Sequence, residues 1–138
     1  MKDFISYELA VKLKTLGFNW PCYVYIYTGD TGNNYDHYLE VKPSDSKDWN
    51  GKSDLCVSQP TFSQAFRWFR EKYDLHYQLI PFFSDKESHA VDYYLALAQH
   101  RPPIQVKTFE EAELACLEKL IEIVEQTNAE MTDHGVYK

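Results

Sequence analysis

The chain's five histidines and three cysteines, with one aromatic-basic stretch, are the residues whose types could do chemistry. His37, His76, His89, His100 and His134 stand singly. Cys22, Cys56 and Cys116 are widely spaced and odd in number. Zinc binding from sequence requires His or Cys pairs at ligand spacing, and no such pair occurs, so no metal and no cofactor is expected. GxxxxGK[ST], GxSxG, HExxH and GxGxxG are all missing, and GDTG at Gly29 to Gly32 is too short and turn-like for a phosphate loop. Catalysis therefore has no motif to rest on, and a non-enzymatic protein is expected. Cys116 lies in the middle of an apolar helical stripe and reads as a small buried hydrophobe rather than a nucleophile.

The remaining chemical signal is TFSQAFRWFREKY, Thr61 to Tyr73, where cations interleave with rings as in a surface that stacks bases and tracks phosphates. Helical projection divides it. Phe62, Phe66, Phe69 and Tyr73 fall on one core stripe, while Trp68 lies roughly 120° from its centre, at the boundary. Trp68 with Arg67, Arg70 and Lys72 forms one candidate binding surface, and the other reading of Trp68 is a half-buried structural residue. Arg67 and Glu71 are also placed for an i,i+4 pair. Charge weighs against nucleic acid, since the formal net charge is −7 and a phosphate binder needs a cationic field. From Thr108 to Asp133 eight acids face only Lys119, and the other 13 acids and 13 bases balance, so the acidity reads as the solvated face of one helix.

The elements that must position these residues follow from caps and periods. Ser6 is a candidate N-cap, and Gly17 sits where a left-handed residue would stop the helix, with Leu13 and Phe18 as the apolar pair of a Schellman stop. CYVYIYT, Cys22 to Thr28, alternates with Val24 and Ile26 on one face and Tyr23, Tyr25 and Tyr27 on the other. GDTGNN turns the chain into a second alternating run, Tyr35 to Lys42, with His37, Leu39 and Val41 on a common side. Residues 43–60 are polar and without period. Trp49 is the odd member of that stretch, either pinning it to the core with Leu55 and Val57 or helping to form a lid over a binding surface.

Thr61 with Gln64, and Thr108 with Glu111, are capping boxes that open two further helices. Between them Leu75 to Phe83 and Ala90 to Ala98 read as strands, Pro81 marking the first as an edge strand or a bend. Ile104 to Lys107 could add a short extended piece. In the final helix Phe109, Ala112, Cys116, Leu120 and Ile123 form one apolar stripe. Leu114, Leu117, Ile121 and Val124 form a second beside it, and the joint arc is wider than one sheet face covers. Leu114, Leu117, Ile121 and Val124 are thus candidates either for burial between helices or for a two-fold dimer interface.

Together these give an α+β fold with an antiparallel sheet of about four strands in two hairpins. Three helices, in the order α-β-β-α-β-β-α, would pack mainly on one face. Length and composition fit a single domain over 1–128 with a frayed tail over 129–138. No apolar run reaches membrane-spanning length, the N-terminus reads as neither signal nor anchor, and the unpaired cysteines suit a reducing cytoplasm.

Three stretches, ISYELAVKLKTLGF, PTFSQAFRWFREKYDLH and TFEEAELACLEKLIEIV, together resemble small uncharacterised proteins encoded by phages, prophages and mobile elements of gut Bacteroidales. The likeness covers the three helices, under half the chain. It implies a context without a known activity. TFEEAELACLEKLIE is also similar to the short helix of antitoxins of the HicB kind, although the ribonuclease-like sheet and DNA-binding tail of such proteins are not evident. The leading expectation is a non-catalytic protein of phage or mobile-element origin that binds another protein, as a homodimer. Single-stranded nucleic-acid binding through Trp68, Arg67, Arg70 and Lys72 is the alternative, and an antitoxin-like regulator or small enzyme the third.

Overall fold

In the computed structural model, residues 3–29, 37–85, 90–97 and 104–133 are described. The chain forms two compact units, Met1–Trp68 and Phe69–Lys138.

The first unit opens with α1 (Tyr7–Thr15), whose ends follow from local chemistry. Ser6 Oγ accepts the Leu9 N–H at 3.3 Å, satisfying one of the unpaired donors of the first turn. At the other end Gly17 takes a φ of 95°, the Phe18 N–H reaches the Leu13 carbonyl and the Gly17 N–H reaches that of Lys14, each at 3.0 Å. This is a Schellman stop, and both Leu13 and Phe18 are buried beneath it.

Strands β1 (Val24–Tyr27), β2 (His37–Glu40) and β3 (Cys56–Ser58) make an antiparallel sheet in the order β2-β1-β3. Between β2 and β3 lie a 3-10 turn, Pro43–Asp45, and the short helix α2 (Trp49–Lys52). Asp48 caps α2 by accepting the Gly51 N–H at 3.0 Å. Val24, Ile26 and Val57 are buried on one face of the sheet, as the alternation in β1 predicts. α1 and α2 pack against β3. A Cβ at Gly29 would meet the end of the Tyr27 ring, so a substitution there requires that side chain to swing aside.

The unit boundary falls within α3 (Phe62–Tyr73). Its capping box is reciprocal: the Gln64 N–H donates to Thr61 Oγ1 at 3.1 Å and the Thr61 N–H to Gln64 Oε1 at 3.4 Å. The second unit continues with β4 (Tyr77–Asp85), β5 (Ala90–Leu97) and β6 (Ile104–Val106), antiparallel in that order. Pro81 lies on β4, at the sheet's edge, where its missing N–H is tolerated. α4 (Phe109–Asp133) packs on β5 and β6. Thr108 Oγ1 accepts the Glu111 N–H at 3.1 Å, while the Glu111 carboxylate takes the N–H of Lys107 instead of that of Thr108.

Mixed helix and antiparallel sheet is therefore the architecture, but the expected single sheet of four strands is corrected to two sheets of three. Both expected hairpins exist, as β1–β2 and β4–β5, and each gains a third strand. β3 escaped the period-2 pattern because all three of its residues are buried, so no polar face alternates with an apolar one. Along α4 the backbone stays helical through Asp133, past the point where fraying was expected.

Candidate functional site

The first sheet has two edges, and they are treated differently. Hydrogen-bond parity shows which groups each edge presents. The Val41 N–H bonds the Tyr23 carbonyl at 2.8 Å, and with Tyr25 opposite Leu39 and Tyr27 opposite His37 the odd residues of β1 serve β2. The even ones serve β3, since the Gln59 N–H bonds the Val24 carbonyl at 2.9 Å and the Thr28 N–H that of Leu55 at 2.8 Å. Cys56 and Ser58 on β3, and Tyr38 and Glu40 on β2, consequently turn their peptide groups away from β1.

On the β3 side those groups are sealed. The Lys14 ammonium donates to the Cys56 carbonyl at 2.6 Å and also to the carbonyls of Asp54 at 3.1 Å and Ser53 at 3.2 Å. The Cys56 N–H reaches the Ser53 carbonyl at 3.2 Å, and the Ser58 N–H donates to Asn50 Oδ1 at 2.8 Å. Asn50 is held in turn, its backbone N–H on Ser58 Oγ and its Nδ2 on the Phe18 carbonyl. Side chains from α1 and α2 thus do for β3 what a further strand would do.

The described residues give β2 no such cover. Among the described residues nothing takes the outward N–H and C=O of Tyr38 and Glu40, and β1 is its sole strand partner. Two of its side chains are large and apolar yet exposed, Tyr38 at 55% and Leu39 at 40%. Register places Tyr38 on the face of Ile26 and Leu39 on the face of Tyr25. An open edge carrying two exposed apolar side chains, with Glu40 as its one carboxylate, is a template for strand addition.

The residues singled out in the sequence fall differently. Trp68 is 1% exposed and packs edge-on to Phe18 with ring centroids 5.3 Å apart, so it is a core residue and is withdrawn from the binding surface. The buried arc of α3 runs through Ala65, Phe66, Trp68 and Phe69, rotated toward Trp68 from a stripe centred on the phenylalanines. Arg67, Arg70 and Lys72 are exposed, and the Lys72 ammonium stands 5.6 Å from the Tyr73 ring centroid. Without Trp68 the three cations lose the ring on which a base was expected to stack.

Trp49 is buried as well. Its ring stacks on Tyr25 at 3.9 Å with 19° between planes, its Nε1 donates to the Cys22 carbonyl at 2.7 Å, and the ammonium groups of Lys47 and Lys52 stand 5.8 Å from its centroid. The residue pins 43–60 to the sheet; Val57 helps, while Leu55 remains 45% exposed. Of the four dimer candidates on α4, Leu117, Ile121 and Val124 are buried within the single chain, and Leu114 alone is exposed, at 42%. The wide apolar arc is covered without a second copy, so this helix face is corrected to core.

The three cysteines lie inside the fold. All three are buried and unpaired, and burial pushes the Cys22 and Cys116 thiols up to about 12. His76 lies 2.7 Å from Asp74 on an exposed turn where Asp74 adopts a φ of 54°. His37 belongs to β2, and His89, His100 and His134 lie outside the described residues. Among the described residues no three His, Cys, Asp or Glu side chains gather as metal ligands, and no helix is long and apolar enough to cross a membrane. In the second unit a cavity of about 170 Å³ is lined by Tyr73, Leu75, Ile123, Val124, Thr127 and Asn128, with no charged side chain in its wall. Sequence reasoning missed the β2 edge as a site. Its signal was present in Tyr38 and Leu39, adjacent apolar residues pointing to opposite faces of one strand. No family model matches the chain, and no curated protein or solved structure matches it.

Proposed function

We propose that this chain is a non-catalytic cytoplasmic binding protein, of phage or mobile-element origin, that works by protein-protein association at the β2 edge of its first sheet. The observation that carries the reading is the contrast between the two edges. Lys14, Ser53 and Asn50 close β3, while Tyr38 and Glu40 leave their outward peptide groups open on β2. Open backbone groups and the exposed Tyr38 and Leu39 side chains occur together on this strand. Main-chain hydrogen bonds would supply much of the affinity, and the Tyr38 and Leu39 side chains the selectivity. The phage or mobile-element clause rests on the resemblance of the three helices alone.

A photo-activated cross-linker placed at Tyr38 tests the reading, with the same group at Asp54, beside the sealed edge, as control. Irradiation in the expressing cell should yield a protein adduct from position 38 and none from position 54. No adduct from 38, or equal yields from both positions, would overturn it.

A further inference from the structure

We infer that the second unit binds a small uncharged ligand, a single ring bearing a hydroxyl group, in the cavity formed by the end of α3 and the last buried turn of α4. The inference is independent of the β2 edge. The cavity exists because of where the apolar stripe of α4 stops. Cys116, Leu120 and Ile123 are buried along one stripe, and its next position, four residues on, is Thr127. A short hydroxyl side chain there leaves room that a leucine would fill. The remaining wall comes from the stop of α3. Asp74 takes a φ of 54°, its N–H bonding the Arg70 carbonyl at 3.1 Å and the Leu75 N–H that of Phe69 at 3.3 Å, and this turn brings Tyr73 and Leu75 to the same cavity. The space enclosed is about 170 Å³.

The lining selects the ligand. Leu75, Ile123 and Val124 are buried and apolar, whereas Thr127 and Asn128 are exposed, so an apolar floor lies beneath a polar mouth. Among the described residues no charged side chain lines the space, and the Asp74 carboxylate turns out to solvent, where it meets His76 at 2.7 Å. A charged ligand would lose its hydration here without gaining a counter-charge. Burial raises the Tyr73 phenol above its usual value, so that wall also stays neutral. An apolar cavity of about 150 Å³ takes benzene, and this one therefore has room for one ring and little more. Thr127 sets the substituent. Its hydroxyl donates to the Ile123 carbonyl at 2.9 Å, so its oxygen can only accept from a ligand. A ring with one hydroxyl donor at its rim satisfies floor and mouth together.

Titration of the full chain with phenol, followed through its methyl signals by NMR, tests the inference. The signals of Leu75, Ile123 and Val124 should shift and saturate with a Kd of about 1 mM, an affinity within reach of so few ligand atoms. Benzoate, which is charged, and a naphthol, which has two rings, should leave those signals in place. Thr127→Val keeps the shape and removes the acceptor, so it should weaken phenol about fivefold and leave toluene binding at least as tight. Thr127→Phe alters an exposed position, so the fold is retained; its ring sits in the mouth and should abolish uptake of both phenol and toluene. Shifts that rise linearly without saturating, or that fall on residues away from the cavity, would overturn the inference. So would benzoate or a naphthol binding as tightly as phenol, or an unchanged phenol affinity in Thr127→Val.

Discussion

The Lys14 ammonium lies 2.6 Å from the carbonyl oxygen of Cys56, 42 residues away in sequence, and closes the outer edge of β3. The same ammonium reaches the carbonyls of Ser53 and Asp54, so one cation from α1 satisfies the whole approach to the strand. An edge closed by side chains cannot add a strand. On the proposed reading stability and association therefore sit on opposite edges of the sheet.

Lys14→Met keeps the aliphatic stem and removes the donors. Hydrogen bonds to a charged group contribute about 1.5–3 kcal/mol net, and the Cys56 carbonyl is partly buried, so the substitution should destabilise the fold by about 2 kcal/mol. Urea unfolding should show a lower midpoint at unchanged slope. An unchanged midpoint would mean that solvent serves those carbonyls equally well.

Core and surface on α4 can be separated by truncation. Leu117 is fully buried and Leu114 is 42% exposed, although the two are only one turn apart. Leu117→Ala should cost about 2–5 kcal/mol through lost burial and the cavity left behind, Leu114→Ala less than about 1 kcal/mol. Equal losses would indicate that Leu114 is covered in solution by another molecule.

The thiols give a pH dependence with a definite sign. Burial raises Cys22 and Cys116 from 9.0 to about 12; at Cys22 a hydrogen bond with Ser58 opposes the rise and Asp48 adds a little to it, and at Cys116 Glu113 adds to it. Between those values the unfolded chain has released the proton and the native one retains it, so the native state binds more protons. Stability is fully present below pH 9 and falls as pH rises toward about 12. Chemical denaturation across that window should show the decline, and Cys116→Ala should flatten it while lowering stability at neutral pH. A thiol reagent at neutral pH should react with the native protein only at the rate of unfolding.

Helix ends were legible in the sequence because capping is local. Ser6, the Leu13–Gly17–Phe18 stop and the Thr61–Gln64 box all occur as their types and spacing imply. β1 was legible for the same reason, its alternation being set by one buried face. What escaped notice depends on partners remote in sequence. β3 is apolar only in the sense of being buried on every side, and Trp68 looked like a boundary until Phe18 came to meet it. The state of an edge is less legible still. Whether the outward groups of Cys56 and Ser58 are covered is decided by where Lys14 and Asn50 reach, and nothing in the β3 sequence records that.

Trp49 separates structural from functional aromatics within the same sheet. Its ring stacks on Tyr25, and its Nε1 donates to a Cys22 carbonyl that also accepts the Lys47 N–H at 3.1 Å. Trp49→Phe preserves most of the stack and leaves that carbonyl with one donor, so the loss should be about 1 kcal/mol. Trp49→Ala removes the stack and the anchor of 43–60 together and should lose about 3–5 kcal/mol. Because neither the ring nor its partners contribute to the outward groups of Tyr38 and Glu40, Trp49→Phe should leave the yield of the protein adduct from a cross-linker at position 38 unchanged. Loss of that adduct with the variant, at retained fold by circular dichroism, would move the interaction surface from the β2 edge onto the tyrosine face of the sheet.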